Sequence, residues 1–356
     1  MAIDTSNSID ETKTGKDLYS YQKGAIDKIF TAFDDAPEDY HLLYQLPTGG
    51  GKTVIFSEIV RQYLKNHNKR VLIMTHRIEL LSQTSKMLTE FGVINKVVNS
   101  TANLDDQDQY SCFVAMVETL NNRLQDEKFD ISNIGLVIID EAHYNSFTKL
   151  FGYFDKSFIL GVTATPLSSN IKLPMNDNYN ELIVGETIEA LIENEFLSRA
   201  NTYSYNVGLT SLEIGANGDY TVKSSEDLYT TNDMLSKLMH AYEEHSKGKK
   251  TLIFNNGINT SLHVYDAFNY AGYPVRHLDN TATKKQRQEI LEWFHVTPDA
   301  ILTSVSILTT GFDEPTVESI ILNRATKSLT LYYQMIGRGS RILKDKSTFD
   351  VIDLGN

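Results

Sequence analysis

Residues 46 to 53 combine glycines, a lysine and a threonine in an order that suits phosphate binding. In chain order they are Leu46, Pro47, Thr48, Gly49, Gly50, Gly51, Lys52 and Thr53. Glycine lets the backbone approach an anion closely, and the helix start that follows presents N–H groups to it. Lys52 is expected to reach the β- and γ-phosphates, and the Thr53 hydroxyl is expected to bind Mg²⁺. One departure is visible, because the pattern Gly-X-X-X-X-Gly-Lys-Thr has glycine where this chain has Leu46.

Two adjacent carboxylates, Asp140 and Glu141, follow the apolar run 136–139. At the end of a buried parallel strand they would lie at the edge of the sheet where ligands bind. Asp140 is expected to hold Mg²⁺ through water, and Glu141 to orient and deprotonate an attacking water. A solvated strand end would also explain an Asp-Glu pair, but the preceding phosphate loop favours the catalytic interpretation.

Strands and helices must position these residues, and the chain has room for both in two domains. It contains 356 residues, of which 41% are hydrophobic and 22% charged, as in ordinary globular proteins. No apolar run approaches the ~20 residues of a membrane span, so no membrane partner is expected. Residues 1–17 are polar and acidic and predict a disordered tail. Cys112 is the single cysteine, which excludes an internal disulfide and fits a reducing compartment.

The net charge is −13, from 33 basic and 46 acidic residues. This balance argues against broad, non-specific binding to nucleic acid. A local site is still compatible with it, because only charges within about 10 Å of a phosphate act strongly at moderate salt. A polynucleotide site would therefore be narrow and built largely from polar side chains and backbone N–H groups.

Apolar runs alternate with helical patterns through most of the chain, which predicts an α/β fold with parallel sheets. Strands are predicted at 42–44, 71–74, 111–117, 136–139, 158–162, 251–254, 275–278, 300–303, 320–322 and 349–353. The pattern weakens from 170 to 232. We therefore predict a first domain at 18–200, a linker or small β-excursion at 201–232, and a second domain at 233–356 without a phosphate loop.

The sequence Asp140-Glu141-Ala142-His143, with Thr-Ala-Thr at 163–165, resembles a superfamily 2 helicase of the DEAH-box type. The segment 307–315 resembles helicase motif V, and 334–341 matches the Gln-X-X-Gly-Arg-X-X-Arg of motif VI. With Thr-His-Arg-Ile-Glu-Leu at 75–80, these segments are similar to the UvsW and RadD helicases and, more distantly, to XPB. The resemblance covers residues 18–356.

The resemblance implies two tandem RecA-like domains with ATP bound in the cleft between them. In that arrangement Arg341 would be the main arginine finger, with Arg338 as its neighbour, stabilising charge on the γ-phosphate in the transition state. Gln334 would position the water or sense the γ-phosphate. Gly311 and Asp313 would face the nucleotide, with Asp313 on the ribose.

The resemblance also suggests how the base is recognised. The segment 18–22 is similar to the family's Leu-Arg-X-Tyr-Gln motif, and Gln22 would hydrogen-bond the adenine edge through both ends of its amide. Tyr19 replaces the arginine of that motif. It would either stack on the base or simply pack on the domain at the start of a helix.

Nucleic acid is expected on the face away from the phosphates, gripped mainly through its backbone and without sequence preference. The candidate contacts are His76, Arg77, Thr119, Asn256, Gly257 and Thr303. Arg77 would equally suit a solvated position at a helix start.

Three functions follow from this sequence. The first is an ATP- and Mg²⁺-dependent DNA helicase or translocase acting on single-stranded or branched DNA. The second is an RNA helicase. The third is a nucleic-acid-dependent ATPase switch that unwinds nothing and borrows an accessory domain from a protein partner. A cytoplasmic location, in a bacterial or phage-infected cell, is expected.

Overall fold

The computed structural model describes residues 9–13, 15–37, 39–168, 173–216, 218–305, 307–309 and 312–355. The chain forms two compact units, Met1–Thr187 and Ile188–Asn356. Each unit contains one sheet whose strands pair in parallel. The predicted α/β class is therefore confirmed.

Unit 1 contains a seven-stranded sheet with the order β3-β4-β2-β5-β6-β1-β7. Its strands are β1 (His41–Gln45), β2 (Arg70–Thr75), β3 (Lys96–Val98), β4 (Cys112–Met116), β5 (Ile134–Asp140), β6 (Phe158–Thr163) and β7 (Glu181–Val184). Its helices are α1 (Ser20–Asp34), α2 (Lys52–Asn66), α3 (Ile78–Glu90) and α4 (Val117–Gln125). Every residue of β2 and β5 is buried, as expected for central parallel strands covered on both faces.

Unit 2 contains a six-stranded sheet with the order β10-β11-β9-β12-β13-β8. Its strands are β8 (Arg199–Ser204), β9 (Thr251–Asn255), β10 (Val275–Leu278), β11 (Ile301–Val305), β12 (Ser319–Asn323) and β13 (Thr348–Asp353). Its helices are α5 (Ile188–Glu193), α6 (Val222–Tyr229), α7 (Asn232–His245), α8 (Ile258–Tyr270), α9 (Lys284–Val296) and α10 (Leu329–Ile336). Alternate residues of β9 point to opposite faces, so Ile253 joins one apolar cluster while Leu252 and Phe254 join another.

The structure changes the interpretation of the segment predicted as a linker. Strand β8 pairs with β13 along its whole length, so the segment 201–232 begins inside the second sheet rather than between domains. Within the described part of that segment, the remaining β-structure is one antiparallel bridge between Ile214 and Tyr220. Along the chain, unit 1 ends at Thr187, which is earlier than the predicted boundary at residue 200.

Part of the predicted disordered tail has a defined place. Ile9 forms an antiparallel bridge with Val93, and the Asp10 N–H donates to the Gly92 carbonyl at 2.6 Å. Residues 1–8 lie outside the described part of the chain. Within that part, every helix is too short or too polar to cross a bilayer.

Candidate nucleotide and nucleic-acid sites

The phosphate loop forms the turn between β1 and α2. Gly49 and Gly51 have φ angles of 90° and 85°, which side-chain-bearing residues rarely adopt. The Gly50 N–H donates to the Pro47 carbonyl at 3.0 Å and closes the turn. A Cβ atom on Gly50 would lie 2.8 Å from Cγ of Leu46. Leu46, the departure from the pattern, therefore fills the space beneath the loop, and the turn requires glycine opposite it.

Several polar groups of this loop point to an anionic ligand. Helix α2 begins at Lys52, and its first N–H groups have no partner within the helix. The Lys52 ammonium donates to the Leu46 carbonyl at 3.1 Å, so it lies folded against the loop. The Thr48 hydroxyl is buried and has no hydrogen-bond partner among the described residues. The loop thus has the donors that a triphosphate needs.

The two predicted catalytic carboxylates lie at the carboxyl end of β5, and both are buried. Oδ1 of Asp140 accepts the Glu141 N–H at 3.0 Å. Burial, together with the neighbouring Glu141 charge, raises the pKa of Asp140, while the positive charge of Lys52 opposes this rise. Glu141 has a φ of 54°, a strained conformation of the kind that collects at functional sites.

A polar chain connects this carboxylate pair to the end of β6. Nδ1 of His143 lies 3.0 Å from the Thr163 hydroxyl, which donates to the Thr165 carbonyl at 2.9 Å. Nδ1 of His143 also lies 3.4 Å from Oε2 of Glu141. Burial lowers the pKa of His143, which favours the neutral ring. Oε2 of Glu141 and Nε2 of His143 have no hydrogen-bond partner in the described structure, so this pair is open to a ligand or water.

These residues fit ATP and Mg²⁺. The described residues contain no group of three or more His, Cys, Asp or Glu side chains that could enclose a metal by themselves. Mg²⁺ does not require one, because it is usually bound by one or two carboxylates, substrate phosphates and water. Thr53, at the start of α2, and Asp140 could hold it together with a nucleotide.

The start of α1 lies against the phosphate loop. Oε1 of Gln22 accepts the Tyr19 N–H at 3.0 Å, and Nε2 of Gln22 lies 3.4 Å from the Tyr21 hydroxyl. That hydroxyl donates to the Gly50 carbonyl at 2.7 Å. Gln22 is buried, and a Cβ atom on Gly51 would lie 2.5 Å from its Nε2. In this conformation Gln22 braces the loop, while Tyr19 is exposed and its ring stacks on Tyr21 at 6.0 Å.

Unit 2 brings most of its predicted nucleotide residues together. Arg338 donates to the carbonyls of Thr309, at 2.9 Å, and of Phe312. Arg341 forms an ion pair with Asp313 at 2.9 Å. Gln334 is buried in α10, and its Nε2 has no hydrogen-bond partner in the described structure. Gly311, the remaining predicted residue, lies outside the described residues.

The predicted nucleic-acid contacts of unit 1 occupy different environments. The centres of the His76 and Tyr144 rings lie 3.9 Å apart, beside the carboxylate site. Nε2 of His76 accepts a hydrogen bond from Nε of Arg77 at 3.3 Å. Burial lowers the pKa of His76 to about 4, so its ring is neutral near pH 7. Thr119 is half-buried in the first turn of α4.

The predicted contacts of unit 2 are tied into the fold. Nδ2 of Asn256 donates to the Ser225 hydroxyl at 2.9 Å, and a Cβ atom on Gly257 would meet the Glu226 carboxylate. Thr303 is completely buried, and its hydroxyl accepts from Nδ2 of Asn255 at 2.8 Å. The structure therefore argues against Thr303 as a contact, because its side chain has no surface to offer a polynucleotide.

Sequence reasoning missed two supporting residues. The first is Tyr21, whose hydroxyl donates a hydrogen bond to the phosphate loop. Its position next to Gln22 was the signal that could have identified it. Lys346 is buried, and its ammonium donates to the carbonyls of Gly339 at 2.7 Å and Arg341 at 2.8 Å. The second is Lys346, which no local sequence pattern identifies, because it lies outside motif VI and holds the motif VI backbone through these hydrogen bonds.

Comparisons with known proteins agree with this division of the chain. Residues 15–168 match the family model of the type III restriction enzyme, res subunit. Residues 231–343 match that of the helicase conserved C-terminal domain. The chain is 28% identical to "Putative ATP-dependent helicase IRC3" of Saccharomyces cerevisiae, over 94% of this chain and 51% of that protein. It thus spans about half the length of this relative.

Solved structures show the same fold. One is "The fragment structure of a putative HsdR subunit of a type I restriction enzyme from Vibrio vulnificus YJ016", with a TM-score of 0.74 and 20% identity. The alignment covers 98% of this chain and 65% of that one. The type ISP restriction-modification enzyme LlaBIII, bound to DNA, gives a TM-score of 0.71 at 18% identity, covering 95% and 28% of the two chains. The chain therefore contains one region that matches the ResIII model and a second region that matches the helicase C-terminal model.

Proposed function

We propose that this protein is a DNA translocase or helicase that uses ATP hydrolysis to move along or remodel single-stranded or branched DNA. The observation that carries the proposal is the phosphate loop beside the buried Asp140 and Glu141 pair, with polar atoms available to a ligand. The match of residues 15–168 to the res subunit of type III restriction enzymes favours DNA as the partner, because restriction enzymes act on DNA. Branch migration and repair are the corresponding roles, and the narrower similarity to UvsW, RadD and XPB stays a prediction.

In this proposal unit 1 holds the triphosphate. Lys52 and the first N–H groups of α2 would bind its oxygens, while Thr53 and Asp140 would hold Mg²⁺. Bound Mg²⁺ neutralises charge on the phosphates. Glu141 would orient the attacking water and accept its proton, which suits a buried carboxylate with one oxygen that has no hydrogen-bond partner among the described residues.

We propose different roles in ATP hydrolysis for the two arginines of unit 2. Arg338 donates to three carbonyls, those of Thr309, Phe312 and Gln334. These hydrogen bonds fix Arg338 in place, and Arg338 in turn stabilises the motif V segment. Arg341 has the more exchangeable partner, because its ion pair with Asp313 is partly exposed. This difference supports Arg341 as the finger, with Gln334 beside it as the sensor of the γ-phosphate. Asp313 would bind the ribose once released.

The base and the nucleic acid are assigned more simply. Gln22 and Tyr19 of unit 1, and Gly311 of unit 2, stay proposed nucleotide contacts. Arg77, Thr119 and Asn256 stay proposed contacts to the DNA backbone. An RNA substrate, or a switch ATPase with a protein partner, are the alternative functions, and the cytoplasmic location stays a prediction.

Glu141→Gln tests the assignment of the base. We expect it to lower ATP turnover about 10²- to 10⁴-fold while ATP still binds, because the amide cannot accept the proton. Glu90→Gln is the matched control, since Glu90 lies in an exposed ion pair with Lys16 on the same unit. Turnover by Glu141→Gln equal to that of the control would remove Glu141 as the base.

A substrate series separates the three functions. ATP turnover is measured with single-stranded DNA, duplex DNA, forked DNA and RNA, alongside strand displacement on each substrate. We expect DNA to stimulate turnover most and displacement to accompany it. Stronger stimulation by RNA would favour the second function, and stimulation without displacement would favour the switch.

A further inference from the structure

A segment of unit 2 covers the carboxyl ends of β9 and β12. We call it the cap segment, and it comprises residues 213–216 and 218–221. Tyr220 and Thr221 accept hydrogen bonds from Nδ2 of Asn256, directly after β9, at 3.3 and 3.5 Å. Asp219 contacts residues directly after β12.

The cap segment lies where this kind of sheet offers a crevice. Strands β9 and β12 are neighbours in the sheet. From β9 the chain proceeds to β10 on one side of this pair, and from β12 to β13 on the other. Open parallel sheets bind ligands beyond the carboxyl ends of strands at such a point.

The Asp219 carboxylate is held there by three kinds of donor. Oδ1 accepts the Lys327 N–H at 2.8 Å, and Oδ2 accepts the Thr326 hydroxyl at 2.7 Å. Oδ2 also lies 3.5 Å from Nη2 of Arg324. A backbone N–H, a hydroxyl and a guanidinium are the groups with which proteins bind backbone phosphates of nucleic acids.

Arg324 has more donor capacity than this contact uses. The residue is 5% exposed, and its Nε has no hydrogen-bond partner in the described part of the chain. Charge-assisted hydrogen bonds are usually 2.7–2.9 Å long, so the Asp219 contact is a long one. A buried guanidinium with an unused donor suits an anion with more oxygens than a carboxylate has.

A second cation lies beside the donors that hold Asp219. The Lys327 ammonium is 5.9 Å from the centre of the Tyr220 ring, and Lys327 also supplies the N–H that binds Asp219. Helix α10 begins two residues later, at Leu329, with Ser328 as its N-cap. The helix dipole adds positive potential at this end.

We infer that Arg324, Thr326 and the Lys327 N–H form a binding site for one backbone phosphate of a polynucleotide, which Asp219 occupies until the polynucleotide displaces it. The inference rests on the proposed function. It adds a phosphate-binding subsite and names the Asp219 carboxylate as the group that competes for that subsite. One negative charge replaces another in the exchange, so the buried guanidinium stays paired throughout.

The test compares Asp219→Asn with Asp227→Asn in the full chain. Asp227 is exposed on α6, so both variants lose the same charge but only the first loses the competitor. Affinity for labelled single-stranded DNA and RNA of equal length is measured at several salt concentrations. Thermal unfolding of each variant is recorded in parallel.

We expect Asp219→Asn to bind about five- to tenfold more tightly than Asp227→Asn, as an uncompeted phosphate contact should allow. Adding Thr326→Val, which removes one donor without changing shape, should reverse most of that gain. Equal or weaker binding by Asp219→Asn would overturn the inference, with or without a lowered unfolding temperature, because the carboxylate would then only anchor the cap segment. Failure of the unmodified chain to bind either polynucleotide would instead overturn the proposed function and this inference with it.

Discussion

The carboxyl edges of the two sheets have similar scaffolds but different chemistry. At the edge of unit 1, a glycine turn exposes backbone donors, and Glu141 and His143 keep polar atoms without hydrogen-bond partners among the described residues. At the edge of unit 2, several polar side chains bond one another, although Arg324 and Gln334 keep nitrogen atoms without hydrogen-bond partners among the described residues. The Ser261 hydroxyl lies 2.9 Å from that of Thr303 and 2.8 Å from Nδ1 of His277. The comparison teaches that the loops after the strands, and not the sheet, determine which edge can bind a triphosphate.

The same contrast applies to the basic residues. Lys52 lies in a turn whose donors a phosphate can share. Arg338 and Lys346 are instead held by backbone carbonyls, which fixes the motif V and VI segments around them. Arg341 differs from both, because its partner is a partly exposed carboxylate. Unit 1 thus resembles a prepared anion site, and unit 2 a rigid support for one exchangeable arginine.

The largest expected effect comes from Lys52→Ala, which tests the anion site of unit 1. We expect no measurable ATP turnover, because the main cation for the β- and γ-phosphates is lost. Turnover is measured with saturating DNA, and unfolding by heat confirms the fold. Lys65→Ala is the control, since Lys65 lies on the same helix in an exposed ion pair with Glu11. Turnover like that of the control would end the phosphate-loop assignment.

Arg341→Ala tests the exchangeable arginine. We expect turnover to fall about 10³-fold while ATP binding is retained, because an arginine finger acts mainly on transition-state charge. Arg199→Ala provides the comparison, since Arg199 is an exposed residue of β8. Turnover is followed by phosphate release and binding by a fluorescent nucleotide. If Arg338→Ala alone produced the larger loss without unfolding, the roles of brace and finger would be reversed.

Thr303→Val tests whether the Thr303 hydroxyl stabilises the fold or contacts nucleic acid. The substitution keeps the shape but removes the acceptor of Asn255. We expect a loss of about 1–3 kcal/mol in the free energy of unfolding, measured with urea. Affinity for single-stranded DNA should stay within about twofold, because the site is buried. Weaker DNA binding at unchanged stability would restore Thr303 as a contact.

The last prediction concerns stability alone and tests the buried lysine. Burial lowers the pKa of Lys346 from 10.5 to about 8, so the unfolded chain binds the proton more tightly than the folded chain. The contribution of Lys346 to stability should therefore rise with pH between these values and fall as pH drops through about 8. Urea unfolding of the unmodified chain and of Lys346→Met across this range measures it. A constant difference between the two would contradict the lowered pKa.

The strands found by sequence and those missed differ in burial. Long apolar runs such as 71–74 and 136–139 predicted β2 and β5 correctly, because both are buried on two faces. Strands β3 and β7 were missed, since one has three residues and the other is largely exposed. Strand β8, Arg-Ala-Asn-Thr-Tyr-Ser, is polar and half-exposed, so its pairing with β13 left no hydrophobic signal.

By itself the sequence determined the phosphate loop and the carboxylate pair, because glycine turns, helix starts and strand ends depend on neighbours within a few residues. Only the tertiary structure decided which distant polar groups meet. It buried Thr303, gave Arg338 and Arg341 different partners, and placed Asp219 against Arg324, 105 residues away in the chain. Such pairings depend on the packing of whole elements, which residue types and spacing do not encode locally.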